Sequence, residues 1–145
     1  MIKNRSVPMD VVLPHVSYRN VAEAMAWLTR VFGFEELYRY GVEGDRVSGG
    51  DMHLGAAHVM VRTRVGATPA ELGFGTQSLT VFVDDVEAHC ARAKAEGARI
   101  VEEPHETEYG EFQYAALDLD GHHWLFSRHA RDVSPEEWGA VVAKR

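Results

Sequence analysis

Cysteine is nearly absent from this chain: Cys90 is the only one in 145 residues. No intramolecular disulfide can form, and a reducing compartment fits. No run of basic residues reaches five, and the net charge is −7. That excludes the usual electrostatic footprint of a protein that grips nucleic acid or an anionic membrane. Met1-Ile2-Lys3-Asn4-Arg5-Ser6 lacks the apolar centre of a signal peptide. No stretch approaches the roughly 18 consecutive apolar residues of a membrane span. The expected location is therefore cytoplasmic. What is present is ordinary for a globular protein, with 46% hydrophobic and 26% charged residues. One domain over 1–145 is expected, able to bury about 70% of its unfolded surface without a disulfide or metal.

One supersecondary pattern occurs twice. Asn20-Val21-Ala22-Glu23-Ala24 opens an amphipathic helix, and Asp85-Val86-Glu87-Ala88-His89 opens another 65 residues later. Asn20 and Asp85 are N-cap types. Val21, Ala24, Met25, Leu28, Val31 and Phe32 recur at helical spacing in the first, and Val86, His89, Cys90 and Ala93 in the second. Gly33 and Gly97 end them. A strand-like run precedes each helix, Val11 to Tyr18 and Gln77 to Val83, with Pro14 marking an edge or a strand start.

Three strand-like runs follow each helix. In the first half they are Phe34 to Tyr40, Arg46 to Leu54 and His58 to Arg64. In the second they are Ala98 to Val101, Glu111 to Leu117 and His122 to Arg128. Pro104 to Gly110 reads as a polar loop, and Asp118-Leu119-Asp120-Gly121 as a hairpin turn. Residues 65–76, with Gly66, Pro69, Gly73 and Gly75, read as a linker. Module one spans about 11–64, module two about 77–129, and a tail covers 130–145. Ser134-Pro135-Glu136-Glu137-Trp138 has the capping-box pattern of a short final helix. The expected fold class is α+β, with two tandem βαβββ modules. Each is too small to bury a sheet face alone, so the two pack together or against a second chain.

Three segments resemble the vicinal oxygen chelate superfamily of glyoxalases, bleomycin-resistance proteins and ring-cleaving dioxygenases. They are Asn20 to Leu28 with Phe32-Gly33-Phe34, then Val81 to Val86, then Asp118 to Phe126. Tyr109-Gly110 and His122-x-Trp124-x-Phe126 resemble its PhnB-like branch, whose members tend to carry Arg where Phe112 stands and Pro where Leu119 stands. The resemblance implies a cup-shaped mixed sheet, a ligand bound in the cup, and a homodimer. It also implies, in metal-dependent members, four side chains around a divalent ion, one from the first and one from the last strand of each module.

Carried over residue by residue, those positions fall on Leu13, Met60, Ser78 and Leu125. Leucine has no donor atom, and a thioether and a neutral hydroxyl are poor ligands for hard or borderline divalent ions. No metal and no cofactor are therefore expected. A second ring arises if the first and last strands of each module run antiparallel. A step of two residues along each strand keeps the face and yields His15, His58, Thr80 and His123. Three histidines with water make respectable zinc chemistry, so His15, His58 and His123 form the alternative metal site.

The leading expectation is a metal-free small-molecule binding protein that sequesters its ligand in the cup. The candidate lining is Leu13, His15, His58, Met60, Arg62, Ser78, Thr80, His123 and Leu125, with Tyr109 and Glu111 from a loop over the cup. The alternative is a lyase-, isomerase- or dioxygenase-like enzyme, using the displaced three-histidine metal site or one histidine as general base. Cys90 reads as a buried structural thiol, Asp84 and Asp85 as turn and cap. His89 and His129 read as helix-face or surface residues, and Trp138 as the anchor of the tail.

Overall fold

A computed structural model describes residues 6–8, 10 and 12–143. In chain order the elements of module one are β1 (His15–Tyr18), α1 (Val21–Trp27), β2 (Glu35–Tyr40), β3 (Gly49–Leu54) and β4 (Ala57–Thr63). A short helix α2 (Pro69–Leu72) follows in the linker. Module two contributes β5 (Ser78–Phe82), α3 (Val86–Ala95), β6 (Arg99–Glu106), β7 (Glu111–Leu117) and β8 (His123–His129). The last element among the described residues is a 3-10 turn at Pro135–Trp138. The architecture is α+β: two tandem βαβββ modules forming a cup, with four-stranded sheets ordered β1-β4-β3-β2 and β5-β8-β7-β6.

The helices begin where capping chemistry dictates. Asn20 accepts the Glu23 N–H, and Asp85 accepts the Ala88 N–H. The last turn of helix one widens into a π-helical turn over Leu28–Phe32 and stops at Gly33, whose φ of 80° suits glycine alone. Arg92 on α3 donates to the Thr29 and Arg30 carbonyls, so module two caps the helix of module one.

Strand alternation divides each sheet into two faces. Val16, Tyr18, Val59 and Val61 from sheet one face the helices, as do Val81, Tyr114, Trp124 and Phe126 from sheet two. They share one core with Val21, Met25, Leu28, Phe32, Val86 and Cys90. Phe32 lies at its centre, 4.7 Å from the Phe126 ring and 5.9 Å from Trp124. Residues of module one thus pack on the sheet of module two, and neither core half is complete alone. The opposite face of each sheet is left open.

The structure corrects several boundaries. The strand expected over Val11 to Tyr18 begins only at His15, because pairing starts with the Pro14 carbonyl accepting the Met60 N–H. Val11 lies outside the described residues. Pro104 sits inside β6 rather than in a loop; β6 is an edge strand with two register shifts, where a missing N–H is tolerated. The strand expected over Arg46 to Leu54 starts at Gly49. The linker is not irregular throughout: Thr68 caps α2, and Glu71 accepts the Thr68 N–H in return.

His89 is not a surface residue. Nε2 donates to the Phe32 carbonyl at 2.7 Å, so Nδ1 accepts the Tyr114 hydroxyl at 2.5 Å. Burial holds this imidazole below its ordinary value of 6.5, with a smaller push from Arg92. The unfolded chain therefore takes up the proton more readily. The contribution of His89 to stability is full above about pH 6.5 and is lost as pH falls through the lower folded value. Urea denaturation of wild type and His89→Gln between pH 7.5 and 5.0 checks this. The wild-type advantage is expected to shrink on acidification, and an advantage independent of pH would refute it.

Candidate functional site

The strand register decides which side chains share the open faces. β1 pairs with β4 in parallel, setting His15 beside Met60 and Ser17 beside Arg62. β5 pairs with β8 in parallel, setting Ser78 beside His123 and Thr80 beside Leu125. The antiparallel premise behind the three-histidine ring is thereby overturned. The 65-residue repeat equates His15 and Met60 with Thr80 and Leu125, and Leu13 and His58 with Ser78 and His123. Within module one His15 pairs with Met60, so His58 stands two residues along the strands from it, roughly 7 Å. Across the cup His15 shares a cavity with His123, while His58 lies in a separate crevice with Thr80. The ring splits because first and last strands of a βαβββ unit run the same way, so both steps go in one direction.

A metal of the kind that superfamily resemblance implies does not fit these residues. The cavity at His15 brings together His15, Ser78, His122 and His123, with His122 Nε2 already committed to the Ser17 carbonyl, and the separate crevice holds only His58, Thr80 and Asp10 as polar groups. Among the described residues no three His, Cys, Asp or Glu side chains converge as a metal-binding group.

Two adjoining cavities occupy one end of the open faces. The larger, about 590 Å³, lies on the row Ser78, His123, Leu117 and Arg99 of sheet two. Its other wall is the linker, Pro69 to Gln77, with Leu119 and Gly121. The smaller, about 320 Å³, lies between His15 and Ser17 of β1 and the start of β5. Phe74, Ser78 and His123 line both. Phe74 is 62% exposed, an aromatic face with no core to fill. A narrow crevice of about 160 Å³, lined by His58 and Thr80, shares Pro14 and Leu79 with the smaller cavity.

Local chemistry holds the linker in place. The Ala70 N–H donates to the Asp120 carbonyl at 2.9 Å. Gly121 comes so close that a Cβ there would stand 2.6 Å from the Ala70 nitrogen, and its φ is 87°. Asp118 shapes that hairpin turn by accepting the Asp120 and His122 N–H groups. His122 Nε2 in turn donates to the Ser17 carbonyl at 2.8 Å, fixing β1 against sheet two. The cavity walls are thus tied to both modules.

Of the expected lining, His15, Ser78 and His123 border the two main cavities, and His58 and Thr80 border the crevice. Met60 lies buried on the open face of sheet one, with Arg62 exposed beyond it. Leu125 is half-buried on β8, and Leu13 half-buried ahead of β1. Tyr109 and Glu111 stand at the other end of sheet two, since Glu111 pairs with His129 rather than His123. That is roughly 20 Å along β8 from the cavities. Tyr109 there accepts from Gln113 and packs edge-on against Trp138, 5.8 Å away, which anchors the tail. Glu111 approaches His129 at 3.5 Å, and the bond to Asp132 raises that imidazole above its usual range.

The sequence reading missed Phe74, Asp51, His53 and Tyr38. Asp51 and His53 oppose Met60 and His58 across the tight turn at Gly55-Ala56. Gly55, with φ of 58°, was the available signal, because counting outward from a two-residue turn sets this register.

A family profile described as the Glyoxalase/Bleomycin resistance protein/Dioxygenase superfamily matches residues 12–126. The chain belongs to this superfamily. Among solved structures it is similar to TioX from Micromonospora sp. ML1, at 32% identity over 86% of this chain and 100% of that one, with a TM-score of 0.69. It shares its fold with a bleomycin-binding protein complexed with bleomycin, at 19% identity, 83% and 99% coverage and a TM-score of 0.66. TnmS3, an antibiotic binding protein from Streptomyces sp. CB03234, gives 19% identity, 81% and 93% coverage and a TM-score of 0.64. An uncharacterised protein of Mycobacterium bovis is 24% identical over 139 residues, 91% of each chain. Among the described residues of this superfamily member, no helix is long and apolar enough to cross a membrane.

The linker cap offers a direct test of the cavity wall. Thr68→Ala removes the side chain that accepts the Glu71 N–H and should cost about 1 kcal/mol. The loss is expected in urea denaturation, with faster hydrogen exchange confined to residues 68–73. Unchanged exchange there would show that α2 does not depend on its cap.

Proposed function

We propose that this chain is a small-molecule binding protein of the bleomycin-resistance type that holds its ligand without a metal, in the paired cavities at the Ser78–His123 end of the cup. The observation that carries this reading is the cavity geometry itself. Volumes of about 320 and 590 Å³ are of ligand size. Their walls mix Phe74, Leu79, Leu117 and Leu119 with a few polar groups, His15, Ser78 and His123. An exposed aromatic beside imidazoles and hydroxyls suits a planar, partly apolar molecule. Solved relatives in fold that bind bleomycin or another antibiotic support the same class of ligand. The donor set supports a metal-free mode, since leucine and methionine occupy positions where an ion would need oxygen or nitrogen. The Tyr109-Gly110 and His122-x-Trp124-x-Phe126 patterns favour the PhnB-like branch.

A screen of planar aromatic compounds by thermal shift tests the reading. A ligand present at a hundred times its Kd should add about 2.7 kcal/mol to stability. Phe74→Ala is expected to weaken such a ligand about tenfold or more, and added zinc to leave binding unchanged. A screen without a binder, or a binder indifferent to Phe74 and His123, would refute it.

The same reading includes a homodimer. The open faces expose Phe82 on β5 and Tyr40 on β2, apolar groups that a second copy would cover. Light scattering after size exclusion should give twice the chain mass, about 32 kDa from the 16.2 kDa chain. A species at the mass of one chain would exclude the dimer.

A further inference from the structure

Asp51 is buried without exposure on the open face of sheet one, where its register partner is Met60. Its Oδ1 accepts from His58 Nδ1 at 2.9 Å. Its Oδ2 is equally enclosed and, among the described residues, has no hydrogen-bond partner. His58, on β4, keeps 22% of its side chain exposed. The ring stacks on His53 at 5.5 Å, and the backbone N–H donates to Asp10. An imidazole whose Nδ1–H is tied to a carboxylate presents Nε2 as its bare nitrogen. Among the described residues Nε2 has no partner.

We infer that Asp51 and His58 form a proton-accepting dyad, and that the site takes small molecules bearing an acidic hydroxyl, a phenol or an enol. The inference rests on the small-molecule reading above and names the ligand chemistry for it. His58 borders the crevice that adjoins the smaller cavity through Pro14 and Leu79, facing Thr80. Val12, Pro14 and Leu79 supply apolar walls fit for a ring. In the transfer the O–H bond of the bound molecule breaks, its proton goes to Nε2, and the electron pair stays on oxygen. The positive charge that arises on the ring sits against the Asp51 carboxylate. Aliphatic alcohols hold their proton too tightly for imidazole to take; phenols and enols come closer to a match. The charged or titratable neighbours are His53, Glu35, which approaches His53 at 3.7 Å, Tyr38 beside Asp51 on β2, and Asp10.

The probe for this is 4-nitrophenol, whose phenolate absorbs in the visible. At pH 6.5, saturating wild-type protein should raise the phenolate band at least threefold over free probe. His58→Gln should abolish the rise, and Asp51→Asn should reduce it at least fivefold, with folding of both confirmed by circular dichroism. Should Asp51→Asn fail to fold, His58→Gln alone decides. Nitrogen-15 spectra of the wild type should show His58 as the Nδ1–H tautomer. No band with wild type, an equal band with His58→Gln, or the Nε2–H tautomer would overturn the dyad. A wild type that binds planar aromatics through Phe74 yet raises no band keeps the cavity reading and loses this one.

Discussion

The structure turns on one buried carboxylate. Asp118 Oδ2 accepts the Tyr18 hydroxyl of module one and the Trp124 indole N–H of module two, while Oδ1 closes the hairpin turn between β7 and β8. Burial pushes this carboxyl up from its ordinary range, and the hydrogen bonds from Tyr18, Trp124 and the His122 backbone, with the nearby His122 ring, pull the other way. Tyr18 is itself pushed far up by burial and by the adjacent carboxylates. Such a network is tolerable only with its donors in place, because an unpaired polar group in low dielectric is costly. It holds β1 at a set distance from the β7–β8 hairpin, with Arg19 on Asp120 reinforcing the contact from the solvent side. The relation between the two sheets, and so the shape of the cup, follows from it.

That tie also builds the site. The hairpin turn ordered by Asp118 is the platform on which α2 rests, through Gly121 and the Asp120 carbonyl. The linker can then wall the cavities with Phe74 while His122 locks β1 beside them. A segment that reads as a plain connection becomes half of the proposed binding surface. On the other open face, Asp51 sets the tautomer of His58 without touching the cavity.

The repeat, both helix N-caps, the glycine stops and the sequence of elements were legible along the chain, because each rests on local chemistry. Asn20, Asp85 and Gly33 do the same work in any context that starts or ends a helix there. Legibility failed where partners are distant. His89 lies on a helix face as expected, but that Phe32 and Tyr114 bind it from other elements was not readable in its neighbours. Pro104 looks like a breaker until β6 proves to be an edge. The three-histidine ring failed on strand direction, a property of the helix crossover that links the first and last strands and of no single residue.

Periodicity and capping residues therefore determined both long helices, the eight strand-like runs, their order along the chain and the doubling. These are short-range consequences of backbone geometry and apolar spacing. Register between strands, the burial of Asp51 and Asp118, and the folding of the linker over Ser78 and His123 were decided only in three dimensions. Each depends on groups far apart in the chain finding hydrogen-bond partners in a space from which water is excluded, and no window of sequence contains both ends of such a contact.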